Sequence, residues 1–81
     1  MNIESSVEKF ILEDLLSGSR STKIGPDESL VASGILDSLA LLRMISFLEE
    51  KFGVTVNDDE VVPENFETIN VIKSFVEARL K

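Results

Sequence analysis

A chain of 81 residues is a single domain near the lower size limit for unaided folding, able to bury roughly 60–65% of its unfolded surface. It contains no cysteine and no histidine. That removes disulfides, thiolate chemistry, the commonest metal ligand and the usual general base at neutral pH. Fifteen acids against eight bases give a formal charge of −7, which opposes nucleic acid and anionic membrane as partners and favours proteins with basic patches.

The acidity is uneven: residues 37–67 hold eight acids and two bases, whereas 68–81 hold one acid and three bases. Basic residues near the end of a last helix suit its macrodipole and need no functional reading. Nothing approaches the ~20 apolar residues of a membrane span. Met1-Asn2-Ile3-Glu4 lacks the basic start and apolar run of a secretory leader. The expectation is a cytoplasmic protein, residues 1–81 forming one domain without membrane insertion.

In chain order, Ile3, Val7, Phe10, Ile11, Leu15 and Leu16 fall at helical spacing, with Glu4, Glu8, Lys9 and Glu13 opposite. Gly18 within Ser17-Gly18-Ser19 is a natural stop. Residues 18–36 show no period and predict a long loop. Ile24, Leu30, Val31, Ile35 and Leu36 are spaced to plug into a core, and Asp27–Leu30 can form one turn after Pro26.

Asp37 or Ser38 caps a second helix to about Phe52, ended by Gly53. Its apolar residues exceed one stripe. Leu42, Ile45, Leu48 and Phe52 predict the core face, which leaves Leu41 and Met44 toward the surface near Ser38. Val54-Thr55-Val56 is too short for a strand without a mate and reads as an extended connector with its valines turned inward. Asn57 can cap a turn over Asp58–Glu60, and Pro63–Phe66 is a further irregular piece. Thr68 then caps a last helix with Ile69, Ile72, Phe75, Val76 and Leu80 on one face. The fold class is all-α: an antiparallel up-and-down bundle of three main helices plus one short helix, with a long loop between the first two.

The residues bearing chemistry are Asp37-Ser38-Leu39, reached through Gly34-Ile35-Leu36. A hydroxyl at a helix start is exposed, and the unpaired N–H groups there favour an attached phosphate. No base stands nearby to activate it, so such a serine is a handle modified by another enzyme. On the triplet alone, a plain N-cap is the stronger reading, since Asp and Ser are preferred there. The acidic run Asp58-Asp59-Glu60 lacks the ligand spacing and glycine of a calcium loop and reads as a solvated turn, so no metal site is expected.

The run GILDSLALLRMISFLEEKFGV, then an acidic turn and VVPENFETINVIKSFV, resembles the acyl and peptidyl carrier protein family over nearly the whole chain. The resemblance implies that Ser38 receives phosphopantetheine from coenzyme A through a phosphopantetheinyl transferase, with Asp37 and Leu39 flanking it. The arm's thiol then holds an acyl or aminoacyl thioester for loading and downstream enzymes of fatty acid, polyketide or nonribosomal peptide-type biosynthesis. The chain itself would be no enzyme, hold no catalytic residue, and act as a monomer. A helical adaptor docking a basic partner, with Ser38 only a cap, is the reading from another class.

Fatty acid carriers usually carry further acids just after the D-S-L triplet, where this chain has Ala40, Leu41, Leu42 and Arg43. Glu49 and Glu50 are kept. An apolar, locally basic upper helix is similar to specialised or aminoacyl carriers, and the V-V-P-E-N-F segment resembles discrete carriers found beside adenylating enzymes. The partner-binding surface expected on this basis comprises Leu41, Arg43, Met44, Glu49 and Glu50.

Overall fold

Where the apolar residues recur every three or four positions, the chain is helical; where they do not, it turns. The computed structural model describes residues 2–16 and 24–80, and among these it is all-α, without a strand. Helix α1 spans Ile3–Phe10 and continues into a π-helical turn, Ile11–Leu15. Helix α2 spans Ser38–Phe52 and α3 spans Ile69–Leu80.

Each start has a side-chain acceptor for an orphan amide. Asn2 accepts from Ser5 N at 2.9 Å and Thr68 Oγ1 from Val71 N at 3.1 Å. Gly53 ends α2 at φ +70°, a conformation with little cost only for glycine. The proposed stop at Gly18 lies outside the described residues. So does part of the long loop expected between the first two helices. Before α3, the position of the expected short helix is taken by two single 3-10 turns, Asp58–Glu60 and Pro63–Phe66.

Helix α3 is the platform: α1 and α2 both pack against it. Its Ile69, Ile72 and Val76 are buried, and Leu80, assigned to the same stripe, is 45% exposed at the helix end. The core also takes Ile3, Val7 and Ile11 from the first helical segment, Leu30 and Leu36 from the loop, and Phe66 from the second 3-10 turn. Val54 and Val56 turn inward from the extended connector as their alternation suggests. Among the described residues the core contains no buried polar or charged residue, so none of its side chains requires a hydrogen-bond partner. Phe10 stacks on Phe47 with centroids 4.3 Å apart, joining the end of α1 to the middle of α2.

The inward face of α2 differs from the sequence assignment. Met44, Ile45, Leu48 and Phe52 are buried, Leu41 is half-buried against them, and Leu42 is 56% exposed. Met44, expected on the partner surface, is 0% exposed. The reason is angular. Successive residues turn by about 100°, which puts Met44 about 70° to one side of the centre of the face made by Leu41, Ile45, Leu48 and Phe52, and Leu42 about 90° to the other. The i, i+3 step from Leu42 to Ile45 fits a helical stripe but not this one.

Truncation separates the two residues. Met44→Ala should cost about 2–5 kcal/mol, as for a buried large-to-small change, and Leu42→Ala about 0.5 kcal/mol or less. Urea unfolding of both variants checks this, and equal costs would contradict the assigned face.

Candidate functional site

The segment entering α2 is shaped by its own backbone. Leu36 N donates to Leu30 O at 2.9 Å and Gly34 N to Val31 O at 3.1 Å, closing a turn over residues 30–36. Gly34 sits at φ +82° with open space where a Cβ would stand. Its requirement for glycine is therefore one of backbone conformation, not of close approach.

Asp37 follows in extended conformation and is the N-cap: its Oδ1 accepts from Ala40 N at 2.8 Å. Its carbonyl accepts from Leu41 N at 2.8 Å, the first bond of the helix. This separates two roles that the sequence left superposed. With the cap supplied by Asp37, the exposed hydroxyl of Ser38, the first residue of α2, has no hydrogen-bond partner among the described residues. It is a solvent-facing hydroxyl at a helix terminus.

A cleft of about 290 Å³ lies alongside, lined by Val31, Leu36, Leu41 and Pro63 together with Asp37 and Ser38. Its walls come from the loop, α2 and the second 3-10 turn. Leu39, the other flank of Ser38, is 68% exposed.

The remaining expected site residues divide. Arg43 and Glu50 are exposed on α2. Glu49 instead turns back, its Oε2 accepting from Val56 N at 2.9 Å, and so fixes the connector as well as contributing charge. Glu60 of the acidic run pairs with Arg79 at the end of α3, and its Oε1 accepts from Asn57 N at 3.0 Å. No group of acids able to hold a metal ion occurs among the described residues.

Two features escaped sequence reasoning. The exposed apolar pair on α2 is Leu39 and Leu42. On the α1 side of that helix, a wider groove of about 480 Å³ runs between Phe10, Asp14, Arg43, Phe47 and Lys51. The Phe10–Phe47 stack that walls it joins residues too far apart in the chain for any local period to pair.

Residues 11–77 match the family described as "Phosphopantetheine attachment site". The chain is 37% identical to the acyl carrier protein of Nitratidesulfovibrio vulgaris (strain DP4) over 60 residues, 74% of this chain and 76% of that one. With the acyl carrier protein of Desulforapulum autotrophicum it shares 37% identity over 70 residues, 86% and 87% of the two chains. With the D-alanyl carrier protein of Lactobacillus acidophilus it shares 35% over 68 residues, 84% of each. In three dimensions it is similar to a chain of a crystal structure described as that of an FAD-dependent dehydrogenase. The TM-score is 0.77 at 28% identity, covering 86% of this chain and 97% of the other; the matched chain is thus itself of carrier size.

The fold is that of a carrier of a covalent prosthetic arm. The chain belongs to the phosphopantetheine-binding carrier family, alongside discrete acyl and D-alanyl carrier proteins. Phosphopantetheine is accordingly its prosthetic group, and members of this family are generally not catalytic. The residues present would fit such a group: an exposed hydroxyl at the start of α2, where the helix macrodipole favours a phosphate, and a largely apolar cleft beside it.

The division of labour between Asp37 and Ser38 predicts their variants. Asp37→Ala should destabilise the fold by about 1 kcal/mol, the usual loss of an N-cap. Asp37→Asn should recover most of that, and Ser38→Ala should be within about 0.5 kcal/mol of the parent. Chemical denaturation of the three variants measures it; a Ser38→Ala loss as large as Asp37→Ala would mean that the serine shares the cap.

Proposed function

We propose that Ser38 is the attachment residue, and that the arm it holds presents an acyl or aminoacyl thioester to partner enzymes of fatty acid, polyketide or nonribosomal peptide-type biosynthesis. The observation that carries this reading is the free, exposed hydroxyl of Ser38 behind a cap that Asp37 supplies alone. When bound, the group supplies a terminal thiol on which cargo rides as a thioester. The protein's residues anchor the arm and leave it mobile, so that tethering raises the cargo's effective concentration at each partner. A phosphopantetheinyl transferase is the first partner, followed by loading and downstream enzymes in the cytoplasm, met by a monomeric carrier. Because a carrier-sized chain in a flavoenzyme structure is similar in fold, this reading includes an FAD-dependent dehydrogenase acting on the tethered group.

The partner surface of this reading is the outer face of α2 next to Ser38. Leu39 and Leu42 are its apolar contacts, Arg43 its charge, and Glu50 its acid further along. Met44 has no part in it, being buried. The first turn of α2 contains no acid, so a docking patch rich in lysine and arginine would meet apolar groups and then a like charge. A cognate loading enzyme should present apolar residues with a carboxylate opposite Arg43.

Treatment with coenzyme A and a promiscuous phosphopantetheinyl transferase should add one phosphopantetheine per chain. Peptide mapping should locate it on Ser38, and Ser38→Ala should prevent it. A helical adaptor with no arm would show no added mass. For the partner surface, Arg43→Glu should raise the efficiency with which enzymes of general fatty acid synthesis use the loaded carrier, about threefold for one exposed charge pair. Steady-state assays at two ionic strengths test this, the gain shrinking with salt.

A further inference from the structure

The loop before α2 is held by groups from much later in the chain. Ser29 and Glu67 stand 38 positions apart, yet the Ser29 hydroxyl donates to the Glu67 carboxylate. The backbone carbonyl of Glu67 accepts from Leu30 N at 2.7 Å. Ser29 Oγ in turn accepts from Ala32 N at 3.0 Å, inside the closed 30–36 turn. One residue thus grips the entrance of the turn twice, by main chain and by side chain.

Leu30 is fully buried, and the exit of the turn, Leu36 N, bonds back to its carbonyl. Immediately after that exit come Asp37 and Ser38. Glu67 also follows the Pro63–Phe66 turn, whose Pro63 lines the cleft beside Ser38. A continuous hydrogen-bonded path therefore leads from Glu67 through Ser29 and Leu30 to Leu36 and the attachment segment. Asn70 braces the stretch before it, its N donating to Pro26 O at 3.0 Å and its Nδ2 to Asp27 Oδ1 at 2.8 Å.

We propose that Glu67 is a positioning residue for modification of Ser38, acting through Ser29 and the closed 30–36 turn; this rests on the reading of Ser38 as the attachment residue. In that reaction Ser38 Oγ bonds to the β-phosphorus of coenzyme A, the phosphorus–oxygen bond to adenosine 3′,5′-bisphosphate breaks, and the hydroxyl proton passes to the transferase. The transferase must find the 30–38 segment in one arrangement. Releasing the side-chain grip lets the turn sample others, and apparent affinity falls by the fraction of chains in the competent one.

The test uses the apo protein, coenzyme A and a promiscuous phosphopantetheinyl transferase, with amide exchange measured in parallel. Ser29→Ala and Glu67→Ala should each raise the KM for the carrier about tenfold, the factor of one charge-assisted hydrogen bond, with kcat within about twofold. The double variant should be no worse than either single one, since both remove the same link. Glu67→Gln, which keeps an acceptor, should restore most of the loss. The amide of Leu36 should lose exchange protection selectively, while Ile72 and Val76 of α3 keep theirs. A KM within twofold of the parent in both alanine variants overturns the proposal. So does exchange that rises evenly over α2 and α3, which would mean that Glu67 serves only global stability. Modification surviving in Ser38→Ala would instead strike the attachment reading, and the proposal with it.

Discussion

The carboxylate of Asp37 on the amide of Ala40 is the interaction on which the site depends. A helix start leaves donors unsatisfied, and a side chain has to be committed to them. Had the serine been that side chain, its hydroxyl would have been turned into the helix and occupied. Because the preceding aspartate takes the task, the serine at the first helical position keeps its oxygen in solvent on a backbone that is already rigid. A free hydroxyl and the helix cap are thereby separated onto adjacent residues.

Around that point the small core is arranged by one helix. α3 receives α1 and α2, buries Ile69, Ile72 and Val76, and through the residues just before and after its start holds the loop that leads to α2. Segments with little regular structure of their own are therefore ordered by side chains and carbonyls of a late element. Glu49 and Glu60 do similar work on the acidic flank, one accepting from Val56 N and the other pairing with Arg79. Part of the acidic surplus is thus spent inside the molecule and is not available for docking.

The helices and several of their ends were legible in the sequence because their signals are local: caps at Asp37 and Thr68, a terminating Gly53, and apolar residues at helical spacing. The valines of the connector were legible for the same reason. The exchange of Leu42 and Met44 between surface and core was not, since both satisfy a spacing of three or four residues and they lie on opposite flanks of the buried face. The grips of Glu67 on Ser29 and of Arg79 on Glu60 join residues that no window spans. The π-helical turn over Ile11–Leu15 likewise has no residue pattern distinguishing it from a continuing α-helix. The helix start at Asp37-Ser38-Leu39 was the most legible part of the candidate site, its triplet being contiguous. The outer docking face was the least, because it is defined by what the core leaves uncovered.

Full burial of Met44 has a consequence for oxidative chemistry. The chain has two methionines, and the other is Met1. A thioether in a closed core is shielded from peroxide until the surrounding helices part, and conversion to the polar sulfoxide then leaves a group that the core cannot accommodate. Sulfoxide formation at position 44 therefore counts opening events of the bundle. With no cysteine in the chain, a thiol enters this sequence only with the prosthetic arm.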